Sequence, residues 1–231
     1  MILGIVLPFL IYPLLSMILI SSGQAYAWRF IISRFLIWAV LGLVFLYARQ
    51  AEVQKFLLWD EKPYPTSFYF KSVGALYLMI IVSGIIAKIP YWMGLHENKD
   101  VIYRMVTVMK EYPILTVFTS FTAAVTEEFI FRGYMISRLS LFFRSKYPPI
   151  IISAVLFSIV HLGYKNVGEI IFTLMFGIIT GYYYQQYRNI KVLMIFHFVV
   201  DMIATLSLMH HKQPEIHDGL KSVGMLFSYQ L

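Results

Sequence analysis

Apolar runs of about twenty residues, the length a helix needs to cross a bilayer, alternate along this chain with short polar segments. About seven runs have that character. The first occupies residues 1–21, and the second runs from Phe30 to Leu46 between Arg29 and Arg49. A polar linker with Asp60, Glu61, Lys62, Pro63 and Pro65 precedes the third, Phe68 to Ile89, which Pro90 should stop. The fourth covers Ile114 to Ser137, and the fifth follows Pro148-Pro149 and reaches Gly163. The sixth and seventh cover 168–185 and 191–209, ahead of a polar tail. Residues 96–112 differ: Val101, Met105, Val108 and Tyr112 fall on one helical face with Arg104 and Lys110 elsewhere, and Pro113 ends the run. That pattern predicts an amphipathic helix lying at the interface. The expected fold is all-α: a polytopic transmembrane bundle of about seven spans plus that interfacial helix, forming a single integral-membrane domain over 1–231.

Composition removes the soluble alternatives. Hydrophobic residues make up 59% of the chain and charged residues 13%, with a mean hydropathy of +0.71. One water-soluble core of this size could not bury so much apolar surface. The formal charge of +7 comes from Lys and Arg that sit mainly beside the apolar runs, where they anchor helices to lipid headgroups. The partner they imply is the lipid bilayer, expected to be the cell membrane, and not nucleic acid. With no Cys, thiol nucleophiles, disulfides and Cys-ligated metals are excluded.

Candidate chemistry lies where polar residues occupy the wrong solvent. Glu127, Glu128 and Arg132 fall inside the fourth run, His161 in the fifth, and His197 and Asp201 in the seventh. Each charged group at a helix centre costs roughly 2.5–3.5 kcal/mol, so four cost on the order of 10 kcal/mol. Pairing or a water-filled cavity must offset that. Residues four apart differ by about 40° around an α-helix, whereas five apart differ by about 140°. Glu128 and Arg132 therefore share a face as a structural ion pair, and Glu127 points elsewhere and is free for chemistry. His197 and Asp201 are also four apart, as are Phe157 and His161, so a carboxylate can orient one imidazole and an aromatic ring can restrain the other. Taken singly, Glu128–Arg132 and His161 read better as groups that join helices, and His197–Asp201 as a proton relay or interhelical glue. Three helices carrying one free Glu and two His at membrane depth can also converge on a water. His96, His210, His211 and His217 lie in connections or the tail, where solvation explains them.

The combination resembles the CPBP family of intramembrane proteases (CAAX proteases and bacteriocin-processing enzymes, also called the Abi family). Its E-E-x-x-x-R motif stands here as Glu127-Glu128-Phe129-Ile130-Phe131-Arg132, its F-x-x-x-H motif as Phe157 to His161, and its H-x-x-x-N/D motif as His197 to Asp201. The resemblance covers about residues 114–205, the expected catalytic core. It implies an intramembrane endopeptidase that hydrolyses membrane-associated protein or peptide substrates with an activated water: CAAX-type prenylated proteins, or bacteriocin- or pheromone-like precursors. By position Glu127 would be the general base, helped by His161, with His197 and Asp201 at the oxyanion. Asn could donate a hydrogen bond in the last position, but an ionised Asp201 cannot, so it is expected to orient His197 or share a proton. The family is often classed as metalloendopeptidase, and Glu127, His161 and His197 are legitimate zinc ligands. The compact H-E-x-x-H helix motif is absent, however, and a mechanism without metal or other cofactor is expected, with zinc the alternative. A non-proteolytic scaffold or bacteriocin self-immunity protein on the same fold is the second functional reading.

Overall fold

A computed structural model of the protein describes residues 1–21, 23 and 25–210; His211 and His217 lie outside the described residues. The elements are α1 (Ile2–Ser21), α2 (Tyr26–Gln50), α3 (Thr66–Trp92), α4 (Asp100–Glu111), α5 (Ile114–Leu139), α6 (Tyr147–Ile159), α7 (Val167–Tyr187) and α8 (Ile190–His210). No strand occurs among the described residues. Seven segments are long and apolar enough to cross a membrane: α1, α2, α3, α5, α7, α8, and α6 with the turn after it to Tyr164. In hydrocarbon the backbone has only itself to bond with, which is why apolar runs of this length become helices. The protein is a multi-pass integral membrane protein.

Local chemistry sets the ends. Pro113 is the N-cap of α5, and Pro148 and Pro149 start α6, where a missing N–H costs nothing. Asn166 caps α7 by accepting from the Glu169 amide at 3.1 Å. Pro90 does not stop the third span, since α3 runs two residues past it to Trp92. A proline so close to the end forfeits little of the hydrogen-bond ladder. The fifth span reaches Tyr164, but its α-helix is shorter than the apolar run: α6 ends at Ile159, and a 3₁₀ turn, Leu162–Tyr164, carries the chain towards α7.

The amphipathic α4 forms, and the expected face is met in part: Val108 is buried and Met105 packs beside it. Val106, Val108 and Met109 are buried, whereas Tyr112 lies past the helix end and is 46% exposed. Phe30 of α2 and Leu115 of α5 pack with Val108 and Met109, and Met209 of α8 adds to that cluster.

The main core is built round the second half of α5. Ile130, Phe131, Tyr134, Met135 and Ile136 are all buried there against Val40 and Val44 of α2, Phe157 of α6, Phe176 of α7 and Leu193 and Phe196 of α8. Over Glu128–Ile136 this helix adopts the wide π form, with i→i+5 bonding. Gly133 lets neighbours close on the wide turn, because a Cβ there would lie 2.5 Å from Leu57 Cδ2. α6 and α7 approach closely at a small-residue contact: a Cβ on Gly177 would sit 2.8 Å from the Ala154 Cα.

Candidate active site

Glu127 ends the α-helical part of α5, and Glu128 opens its π segment. Glu128 and Arg132 are almost fully buried, with Glu128 Oε1 3.2 Å from Arg132 Nη1. The guanidinium also donates to Thr180 Oγ1 from Nε at 3.0 Å and from Nη2 at 2.7 Å. It lies 4.4 Å from the Phe157 ring centroid and 5.5 Å from that of Phe176, inside cation–π range. Thr180 and Phe176, both on α7, carry no family motif. One of two Thr residues in an apolar run was their only sequence signal.

His197 has a partner that spacing did not disclose. Its Nδ1 is 2.9 Å from Glu128 Oε1, while Nε2 lies 3.7 Å from Asp201 Oδ1 and 3.9 Å from Glu127 Oε2. Asp201 is thus near the ring but outside hydrogen-bond distance, and Glu128 is the group that orients it. One carboxylate oxygen serves both the arginine and the imidazole. With Nδ1–H donating to Glu128, Nε2 is directed at the space between Glu127 and Asp201.

His161 sits in the turn just beyond α6, not within a helix. Its Nδ1 is 2.7 Å from the Phe157 carbonyl oxygen. A carbonyl only accepts, so Nδ1 carries the proton and Nε2 is left as an acceptor. The imidazole lies between two rings, 4.7 Å from Phe157 and 5.7 Å from Tyr164 by centroid. Phe157 also meets His197 edge-on at 6.5 Å. Glu127 and His197 both lie within electrostatic reach of His161. The structure therefore brings Glu127, His161, His197 and Asp201 to one interior region.

Within that region Glu127 Oε2 is buried and has no hydrogen-bond partner. A native structure rarely leaves such an atom unpaired unless water, a ligand or chemistry accounts for it. The donors do not fit a zinc ion as they stand: among the described residues no three His, Asp or Glu are arranged to hold a metal. A cavity of about 100 Å³ lies to one side, between α3 and the start of α7, lined by Lys88, Tyr91, Glu97 and Glu169 among others. Beside it the Tyr91 hydroxyl donates to Asn166 Oδ1 at 2.5 Å and accepts from the Gly168 amide at 2.6 Å, pinning the connection that carries His161.

Residues 110–203 match a family model described as Rce1-like, type II CAAX prenyl endopeptidase Rce1-like. The match is consistent with the CPBP family. It spans α5 to α8 up to Asp201, and so every residue of the constellation above. It points to a membrane protease of the CAAX type. No curated protein and no solved structure matches the chain.

A second buried charge network, which the sequence reading missed, ties the 2–3 connection to the end of α5. Arg138 donates to Glu52 Oε2 from Nε at 3.1 Å and from Nη2 at 2.9 Å, and its guanidinium lies 3.9 Å from the Tyr134 ring centroid. Arg138 also donates to the Lys55 and Phe56 carbonyls, and Tyr134 donates to Glu52 Oε1 at 2.7 Å. Glu52 gave no signal because it stands in a polar connection, where a carboxylate is ordinary.

Proposed function

We propose that the protein is an intramembrane endopeptidase that cleaves CAAX-type prenylated substrates with a Glu127-activated water, residues 114–205 forming its catalytic core. The observation that carries this reading is the unpaired, buried Glu127 Oε2 facing His197, with the Nε2 acceptor of His161 in the same interior region. Water held between Glu127 and His161 gives a proton to the Glu127 carboxylate as its oxygen attacks the scissile carbonyl. The oxyanion that forms takes a hydrogen bond from Nε2–H of His197 as the doubly protonated imidazolium, whose Nδ1–H donates to Glu128. Collapse breaks the C–N bond, and Glu127 returns the proton to the leaving amine. General-base catalysis of this kind contributes about 10²–10⁴-fold, and one oxyanion donor about 10²–10³-fold.

Two measurements test the reading. Glu127→Gln is expected to abolish cleavage of a prenylated CAAX peptide while membrane abundance is kept, and His197→Ala to lower it by about 10²–10³-fold. Normal turnover in Glu127→Gln removes Glu127 as the base, and an intact cellular phenotype in that variant favours the scaffold reading. Exhaustive chelation is expected to leave activity unchanged; loss of activity with recovery on adding zinc would overturn the metal-independent mechanism.

A further inference from the structure

Arg34 is a cation that the proposed mechanism does not use and that no carboxylate pairs with among the described residues. It lies eight residues beyond Tyr26 within α2, about 12 Å along the helix at 1.5 Å per residue, and is half-buried. Its guanidinium donates only to the neighbouring Ser33 hydroxyl, at 3.3 Å from Nε and 3.2 Å from Nη2, and lies 5.1 Å from the Phe30 ring centroid. The two deeply buried arginines of α5 are each paired with a glutamate. Arg34 forms no ion pair with an Asp or Glu among the described residues. A charged residue inside a membrane span is a functional group by default. What this one lacks is an anion.

Its neighbours say which way it faces. Phe30, Arg34 and Trp38 follow one another at four-residue spacing along one side of α2. Phe30 packs in the cluster that includes Leu115, and Trp38 donates to Thr122 Oγ1 at 3.1 Å. Arg34 is therefore directed towards the bundle and not the surrounding lipid. The adjacent Phe35 packs on Phe118 with centroids 5.4 Å apart, which sets Arg34 level with Phe118 where α2 and α5 run parallel. Glu127 stands nine residues further along α5, about 13 Å at 1.5 Å per residue. Arg34 and Glu127 also lie within electrostatic reach of one phenol, Tyr164, whose ring stacks on His161.

The separation matches a peptide tail. A CAAX terminus ends in a free carboxylate three residues beyond its lipidated Cys. Three extended residues span about 10–11 Å, and the arginine side chain covers the remainder. The planar guanidinium is the group best shaped to take a carboxylate in two parallel hydrogen bonds. We infer that Arg34 anchors the C-terminal carboxylate of the substrate, so that its position sets which peptide bond lies at Glu127. This rests on the proteolytic reading and adds a specificity residue on α2, outside the matched segment 110–203. The tail then points towards the α4 side of the bundle.

The test uses the full chain in detergent or nanodiscs and a farnesyl-Cys peptide carrying three further residues, made as the free acid and as the C-terminal amide. The unaltered protein is expected to cleave the acid at least ten-fold better than the amide, chiefly through KM. Arg34→Met is expected to lose that advantage, Arg34→Gln likewise, and Arg34→Lys to retain part of it. The released tripeptide acid is expected to inhibit the unaltered protein at least ten-fold more strongly than its amide. An acid-to-amide ratio unchanged in Arg34→Met and Arg34→Gln, as a lipid-phosphate role would give, overturns the proposal. Equal inhibition by the two tripeptides overturns it without any variant. If the unaltered protein cleaves neither peptide, the CAAX-protease reading itself fails.

Discussion

At the scale of single residues, Glu128 has the most to account for. One of its oxygens lies 2.9 Å from His197 Nδ1 and 3.2 Å from Arg132 Nη1, in a site that water does not reach freely. Removing its charge leaves the Arg132 cation unpaired, and breaking a buried pair costs about 3–5 kcal/mol. Replacing both members by apolar groups is often close to neutral. Glu128→Leu is therefore expected to lower stability by that amount, and Glu128→Leu with Arg132→Met to recover most of it by thermal unfolding. Cleavage is not expected to recover with stability, because His197 still lacks the group that orients it. Full activity in the double variant would reduce Glu128 to a packing role. The Glu128–Arg132 spacing was legible at i, i+4. The Glu128–His197 contact was not, since 69 positions separate the two along the chain.

At the scale of elements, the site depends on how closely α6 and α7 pack. Phe157 comes from α6, and Phe176 and Thr180 from α7; together they hold the Arg132 guanidinium. The Gly177–Ala154 contact sets the spacing between these helices, since a Cβ at Gly177 would lie 2.8 Å from backbone. Gly177→Val is expected to destabilise by about 1–3 kcal/mol and to lower cleavage as well. Gly42 in α2 is the control: nothing lies within 4 Å of a Cβ built there, so Gly42→Ala is expected to leave stability unchanged or slightly raised. Equal melting of the two variants would contradict the packing account. The early end of α6 also matters, because it puts His161 in a turn that Tyr91 and Asn166 pin from outside. An apolar run continuing to Gly163 gave no hint of that stop.

At the scale of the whole molecule, the Glu52–Arg138–Tyr134 network joins the connection after α2 to the end of α5, whose middle carries the site. Burial pushes the Glu52 carboxyl up, but hydrogen bonds from Tyr134 and Arg138 outweigh it and hold the group below its ordinary 4.5. A carboxyl depressed in the folded state stabilises fully above its unfolded value, and that contribution fades as pH falls through the folded value. Thermal stability is thus expected to decline on acidification below about pH 4.5, and Glu52→Gln to remove that part of the decline. An identical pH profile in Glu52→Gln would show that other carboxyls carry the acid sensitivity.

The number of spans, the amphipathic α4 and the Glu128–Arg132 spacing were all present in the sequence. Each depends on solvent and helical period alone: hydrocarbon demands apolar helices about twenty residues long, and neighbours four apart meet whatever the rest of the chain does. Tertiary structure decided that His197 takes Glu128 as its partner and that Thr180 and two rings hold Arg132. Those outcomes turn on contacts between helices distant in sequence, set by side-chain shape and the close approach of small residues. No local period encodes them.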